Sequence, residues 1–136
     1  MLNTSKLKGS CLCGKIHYEV DGELGPIVCC HCARCRKSNG AAFATNSPIN
    51  ARDFRLTTGE EYLKGFDAGV GVERMFCGNC GSPLFSKRAA MPEIYRLRIG
   101  TLDTKIDARP SFHIYVGSKA EWYDIHDNYP QHEERA

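Results

Sequence analysis

Seven of the eight cysteines in this 136-residue chain fall into three short groups: Cys11-Leu12-Cys13, Cys30-His31-Cys32-Ala33-Arg34-Cys35 and Cys77-Gly78-Asn79-Cys80. Reduced thiols at such spacings are metal ligands, and zinc is the metal that most often takes four of them in a tetrahedron. With Zn–S bonds of about 2.3 Å, two sulfurs on one zinc stand about 3.8 Å apart. A tight turn brings residues i and i+3 that close, and Gly78 and Gly81 tolerate the positive φ such a turn uses. Cys11 and Cys13 share a face of an extended strand but would lie about 7 Å apart on it, so the chain must bend there. Cys11, Cys13, Cys77 and Cys80 together supply four thiolates, the complement of a closed structural zinc site.

The central group comes up one ligand short. Cys30, Cys32 and Cys35 leave a fourth position to His31, Cys29, a distant residue, water or a substrate. Cys29 adjoins Cys30 and would strain to reach the same metal, so it reads as a small buried hydrophobe. His31 points away from both neighbours if the segment is extended. An open position is what separates a catalytic zinc from a structural one. Arg34, Arg36 and Lys37 flank the group. They can offset the net negative charge of three thiolates on Zn²⁺, and Arg34 and Lys37 are candidates to hold the carboxylates of an acidic substrate.

The elements that must position these groups are mostly strands. Lys15–Val20 alternates strictly with Ile16, Tyr18 and Val20 on one face, and Pro26–Cys29 is a short apolar strand running into the central cysteines. Gly40–Thr45 reads as a buried strand stopped by Pro48, Phe54–Thr57 alternates again, and Glu60–Lys64 could form one helical turn. Val70–Phe76 leads as a strand into Cys77, and Pro83–Ser86 follows it. In Tyr95–Ile99 the apolar residues face in and the arginines out. Phe112–Val116 places His113 on a polar face, and Trp122–Ile125 is a last short strand with Trp122 and Tyr123 filling or edging the core. Tyr18, Phe43 and Phe85 are core candidates. Both short ends should fray, the first few residues and the charged tail from Gln131. Short strands with Gly and Pro turns define a mostly β chain, read as a single domain over 1–136.

Composition narrows the function classes. Eighteen basic residues nearly cancel sixteen acidic ones, which gives no broad field for nucleic acid or anionic lipid. No apolar run approaches the roughly 18–20 residues of a membrane span. The first residues lack the apolar stretch of a secretory signal, so the expectation is a soluble, cytoplasmic protein. In that compartment thiols stay reduced, which favours metal ligation over the disulfide framework that eight cysteines could form in a small secreted chain. Exposed strand edges make a homodimer reasonable.

Three stretches resemble the glutathione-dependent formaldehyde-activating enzyme family, which also contains centromere-protein-V-like members. They are Gly9-Ser10-Cys11-Leu12-Cys13-Gly14, Cys30-His31-Cys32-Ala33-Arg34-Cys35-Arg36-Lys37 and Phe76-Cys77-Gly78-Asn79-Cys80-Gly81. Arg109-Pro110, His113–Lys119 and Trp122 resemble that family's C-terminal part, so the likeness runs from about residue 9 to residue 130. It implies the family's Mss4-like fold of twisted β-sheets with zinc-binding loops. It also implies two zinc ions per chain, a structural one at Cys11, Cys13, Cys77 and Cys80 and a catalytic one at Cys30, Cys32 and Cys35. The implied chemistry is that of a carbon–sulfur lyase: a small-molecule thiol, glutathione in the enzyme that names the family, adds to formaldehyde to give S-hydroxymethylglutathione or is released from it. The chain is shorter than that enzyme, so glutathione and formaldehyde are the leading pair within a wider class of thiols and small aldehydes. The alternative is a zinc-stabilised, non-catalytic binding module for a protein or nucleic-acid partner, in which both zinc sites are filled by protein ligands.

Overall fold

Strand segments ending in turns are what the alternating pattern calls for, and the computed structural model, which describes residues 6–136, has ten of them. The expected N-terminal fraying concerns residues 1–5 and lies outside the described residues. Strands β1 (Leu7–Ser10), β2 (His17–Val20) and β5 (Phe54–Thr58) form a three-stranded antiparallel sheet in the order β1-β2-β5. The larger sheet uses β3 (Ile27–Cys30), β4 (Ala44–Asn50), β6 (Leu63–Asp67), β7 (Val72–Cys77), β8 (Pro83–Arg88), β9 (Met91–Arg98) and β10 (Pro110–Ile114), in the order β10-β3-β4-β9-β8-β7-β6. Every pairing in it is antiparallel except β10 with β3.

Because side chains alternate along a strand, the large sheet has two chemically distinct faces. On one, Ile49, Met75, Phe85 and Leu97 are buried with Tyr18 and Val20 of the small sheet and with Ile16, which precedes it. Phe54 ties the sheets together, its ring centroid 4.7 Å from Phe85 and 5.2 Å from Tyr18. Burying side chains of this size is worth about 1.5–3 kcal/mol each and is what holds the two sheets together. On the other face, the register aligns Pro48, Arg96, Ser86 and Arg74 across β4, β9, β8 and β7, and puts Arg98 opposite Asn46. The alternation therefore stands over Tyr95–Arg98, with Ile99 opening a 3₁₀ turn, but the arginines do not meet open solvent. Arg98 is only 5% exposed.

Several expectations change. Pro48 does not stop a strand but sits inside β4. Its carbonyl accepts from the Gly25 backbone N–H at 3.0 Å, beyond the last ladder pair of β3 at Val28, so its absent N–H faces a side where no strand requires it. The helical turn near residue 60 is a 3₁₀ turn over Glu60–Tyr62, followed by edge strand β6. Trp122–Ile125 is not a strand, and Trp122 is 73% exposed rather than in the core. Nor does the tail hang free. Pro130 and Glu134 carbonyls accept from the His113 and Tyr115 N–H groups at 2.9 and 2.8 Å, so the tail covers the edge of β10.

Candidate metal centres and the arginine-lined cavity

The four-cysteine cluster is assembled by two loops from different sheets. β1 ends at Ser10, and the chain then turns back on itself: the Gly14 N–H donates to the Cys11 carbonyl at 3.1 Å, with Gly14 at φ 80°. This is the bend that the Cys11–Cys13 spacing required. β7 ends at Cys77, where the Gly81 N–H donates to the Cys77 carbonyl at 2.7 Å. Gly81 adopts a φ of 82°, whereas Gly78 keeps a negative one. Backbone N–H groups are aimed at the sulfurs, Ile16 at Cys11 Sγ (3.3 Å) and Asn79 at Cys77 Sγ (3.4 Å). Cys13 Sγ lies 3.6 Å from Cys11 Sγ and 3.9 Å from Cys77 Sγ, bracketing the spacing of sulfurs on one zinc. All four sulfurs lie within 4.8 Å of one another. The donor set fits a tetrahedral zinc, and none of the four lines the molecule's large cavity.

The three-cysteine cluster is built differently. Cys30 ends β3, Cys32 is the N-cap of a helix, α1 (Ala33–Asn39), and Cys35 lies in its first turn. The sequence pattern assigns no helix to this stretch. Its seven residues are stabilised at both ends: Cys32 Sγ accepts from the Cys35 N–H at 3.4 Å, and Gly40 closes the C-terminus in the left-handed conformation. Strand end, cap and first turn bring the three sulfurs within 4.8 Å of one another. Hydrogen bonds from the Cys30 and Cys35 thiols hold the Cys32 thiol far below the usual thiol range, while Cys32, Cys35 and burial push Cys30 up. The cluster fits a zinc held by Cys30, Cys32 and Cys35, with no fourth Cys, His, Asp or Glu in the group among the described residues.

His31 is not that fourth ligand. It is fully buried, with Nε2 2.8 Å from His113 Nδ1, and His113 Nε2 is in turn 3.0 Å from an Asp127 carboxylate oxygen. The acceptor at Asp127 requires the proton on His113 Nε2, which leaves His113 Nδ1 to accept from His31 Nε2–H. Burial pushes the His31 pKa down to about 4, with the neighbouring His113 adding to the effect, so His31 is neutral. The His31 backbone is clamped as well. Its N–H donates to the Ile114 carbonyl at 3.0 Å and its carbonyl accepts from Arg36 Nε at 3.3 Å. The residue between two candidate ligands is thereby fixed by β10 and by the segment at Asp127. His113, expected at a polar surface, is 1% exposed and part of this chain. Phe43 packs on both imidazoles. Cys29 is 2% exposed with its thiol pushed up to about 11 by burial and by Asp127, as suits a small buried hydrophobe.

The three cysteines open onto a cavity of about 670 Å³ that occupies the second face of the large sheet. Its walls carry Arg34, Arg74, Arg88, Arg96, Arg98 and Arg135. Of the flanking cations expected to meet a substrate, Arg34 lines this cavity and Lys37 does not. Arg36 acts as a clamp, also donating to the Ser118 carbonyl. Tyr115 packs against the Cys30–Cys35 cluster and holds a φ of 57°, a left-handed conformation rare for a residue with a side chain. Apart from Arg34, the cavity arginines escaped sequence reasoning because they are scattered over β7, β8, β9 and the tail. Strand register is the only signal that unites them. Burial pushes the Arg96 pKa down to about 10, with Arg88 and Arg135 adding to it, which leaves it charged at neutral pH.

Taken together, the molecule is a mostly β protein with a closed four-thiol cluster and an open three-thiol cluster facing a cationic cavity. Residues 6–118 match the sequence model of the family described as "Glutathione-dependent formaldehyde-activating enzyme", and the chain belongs to that family. It is 29% identical over 127 residues to a Halomonas elongata protein named "Putative glutathione-dependent formaldehyde-activating enzyme", a match covering 88% of this chain and 80% of that protein. An uncharacterized lyase of Schizosaccharomyces pombe is 31% identical over 81 residues, spanning 57% of this chain and 55% of the relative. The fold is similar to the crystal structure of a Rhodobacter sphaeroides protein, with a TM-score of 0.62 and 28% identity over 74% of this chain and 91% of the other. No helix among the described residues is long and apolar enough to cross a membrane.

Proposed function

We propose that the protein is a zinc-dependent carbon–sulfur lyase that forms or cleaves the adduct of a small thiol with a small aldehyde, glutathione and formaldehyde being the leading pair. The observation that carries this reading is the position of the three-cysteine cluster, one donor short of a tetrahedron, at the wall of a cavity large enough for such a ligand. Cys30, Cys32 and Cys35 would hold the catalytic zinc, and Cys11, Cys13, Cys77 and Cys80 the structural one. Zinc supplies Lewis acidity, which keeps a thiol ionised at neutral pH or polarises a carbonyl.

The chain's own residues do the rest. In the addition, the thiol sulfur bonds to the aldehyde carbon, the carbonyl π pair moves to oxygen, and the thiol proton ends on that oxygen. No electron is gained or lost overall. The reaction is easy without a catalyst, so holding both partners together is the main task of the protein. The arginines of the cavity bind the carboxylates of the thiol, and Arg34 stands nearest in sequence to the ligating cysteines. The His31–His113–Asp127 chain keeps the Cys30–Cys32 segment in one conformation. Tyr115 and the apolar strand residues around it exclude water from one side of the cluster.

The test is exchange NMR with formaldehyde and glutathione at micromolar zinc-loaded protein. An exchange rate above that in buffer, lost in Cys32→Ser, supports the reading. A rate equal to buffer removes the glutathione assignment, and the same result for every thiol tried removes the lyase.

A further inference from the structure

The cavity is one-sided in charge. Six guanidinium groups line it, and no aspartate or glutamate side chain of the described residues does. Nor does any of Arg74, Arg88, Arg96 or Arg98 form an ion pair with a carboxylate among the described residues, where the ion pairs involve other groups. The Nε atoms of Arg74 and Arg98 are buried and unpartnered. Arg98 instead leans on neutral acceptors, with Nη1 donating to the Arg96 carbonyl at 3.3 Å. The sulfur of Cys35 lies 4.0 Å from Arg74 Nη2, and Ala136, the last of the described residues, shares the cavity wall. Three thiolates on a divalent cation carry one net negative charge, too little for six arginines. Guanidinium groups held out of water need anionic partners with planar, bidentate oxygens, and carboxylates are the best match.

Glutathione meets this demand only in part. It brings two carboxylates but also an ammonium group, and no aspartate or glutamate side chain of the described residues lines the cavity to receive it. We propose that the thiol taken by this protein is a mercaptodicarboxylate without an amino group, its carboxylates held by Arg74, Arg88, Arg96 and Arg98 and its sulfur at the three-cysteine cluster. This rests on the reading of that cluster as a thiol–aldehyde site. It names the substrate class from the charge of the walls.

The experiment is calorimetric titration of zinc-loaded protein with mercaptosuccinate, glutathione and 2-mercaptoethanol at neutral pH, run beside the formaldehyde-exchange assay for each thiol. Mercaptosuccinate should bind at least about tenfold more tightly than either of the others, and its affinity should fall as salt rises. Arg96→Gln and Arg88→Gln, each checked for native zinc content, should weaken mercaptosuccinate by about tenfold or more and leave 2-mercaptoethanol unchanged. Glutathione or 2-mercaptoethanol binding as tightly as mercaptosuccinate overturns the inference, as do arginine variants that bind mercaptosuccinate like the parent. If mercaptosuccinate binds as expected but no thiol shows accelerated exchange, the lyase reading fails while the anion-binding site stands. Accelerated exchange with glutathione as the tightest ligand has the opposite meaning.

Discussion

The two cysteine clusters use the same donor atom in two kinds of architecture. The cluster at Cys11, Cys13, Cys77 and Cys80 joins a turn after β1 to a turn after β7, so it bridges the two sheets. The cluster at Cys30, Cys32 and Cys35 is local, made by one strand end and one helical turn, and it bridges nothing. The first has four donors and stands outside the cavity of about 670 Å³, whereas the second has three and lines it. A metal that joins separate elements contributes its binding energy to folding. A metal held within one short segment can be lost without separating the elements around it, and its free position can serve a ligand. The difference between them lies in connectivity more than in chemistry.

That contrast gives an order of expected effects. Cys77→Ser should be the most damaging change, because it leaves the inter-sheet zinc with three donors and a poorer site. We expect loss of cooperative folding at ambient temperature, seen by circular dichroism and by loss of dispersed amide resonances, since apparent zinc binding energies of about 10–16 kcal/mol enter folding directly. Cys32→Ser should cost one zinc per chain and about a hundredfold or more in adduct exchange, with the amide spectrum largely kept. A Cys32→Ser protein that unfolds like Cys77→Ser would erase the distinction. Asp127→Asn sharpens the comparison from further away. It removes the charge that orients His113 and, through it, His31, so zinc affinity at the three-cysteine cluster should fall by about tenfold. Zinc at the four-cysteine cluster, measured by competition with a chelator in the same sample, should be unaffected.

The smallest effect concerns the core between the sheets. Burial pushes the Tyr18 pKa up to about 12, opposed by its hydrogen bond with Thr101. The unfolded chain loses this proton near pH 10 and the folded chain retains it, so stability should fall as pH rises from about 10 toward 12. Tyr18→Phe should flatten that slope, at a cost of about 1 kcal/mol for the lost hydrogen bond at neutral pH, measured by urea unfolding. A slope unchanged in the variant would assign the alkaline transition to other groups.

How legible these features were in the sequence follows from their range. The division of seven cysteines into four and three rests on local spacing, and the sulfur distances agree with it. The strand alternation of Lys15–Val20 and Tyr95–Ile99 is equally local. Helix α1 was missed because seven residues carry too little periodicity to register, and its cap is a cysteine rather than a usual capping residue. Pro48 misled because whether a strand tolerates proline depends on what lies beside it, which sequence does not state. Arg96 and Arg98 were rightly placed on the face opposite Leu97. Period-2 alternation cannot distinguish a solvent-facing side from the wall of a cavity, and near-zero net charge hid the local excess of arginine. His113 was placed at the surface because nothing in its own strand signals the tail that later covers it. Lys37 shows the reverse failure, since proximity in sequence to Cys35 did not bring it to the cavity.

The central claim, one closed and one open zinc site, is tested most directly by cobalt substitution. Protein loaded with two Co²⁺ per chain should show tetrahedral thiolate spectra from both clusters. Titration with a thiol ligand should change only the component absent from Cys32→Ser. Spectra that do not respond to any thiol, or a response that persists in Cys32→Ser, would contradict it.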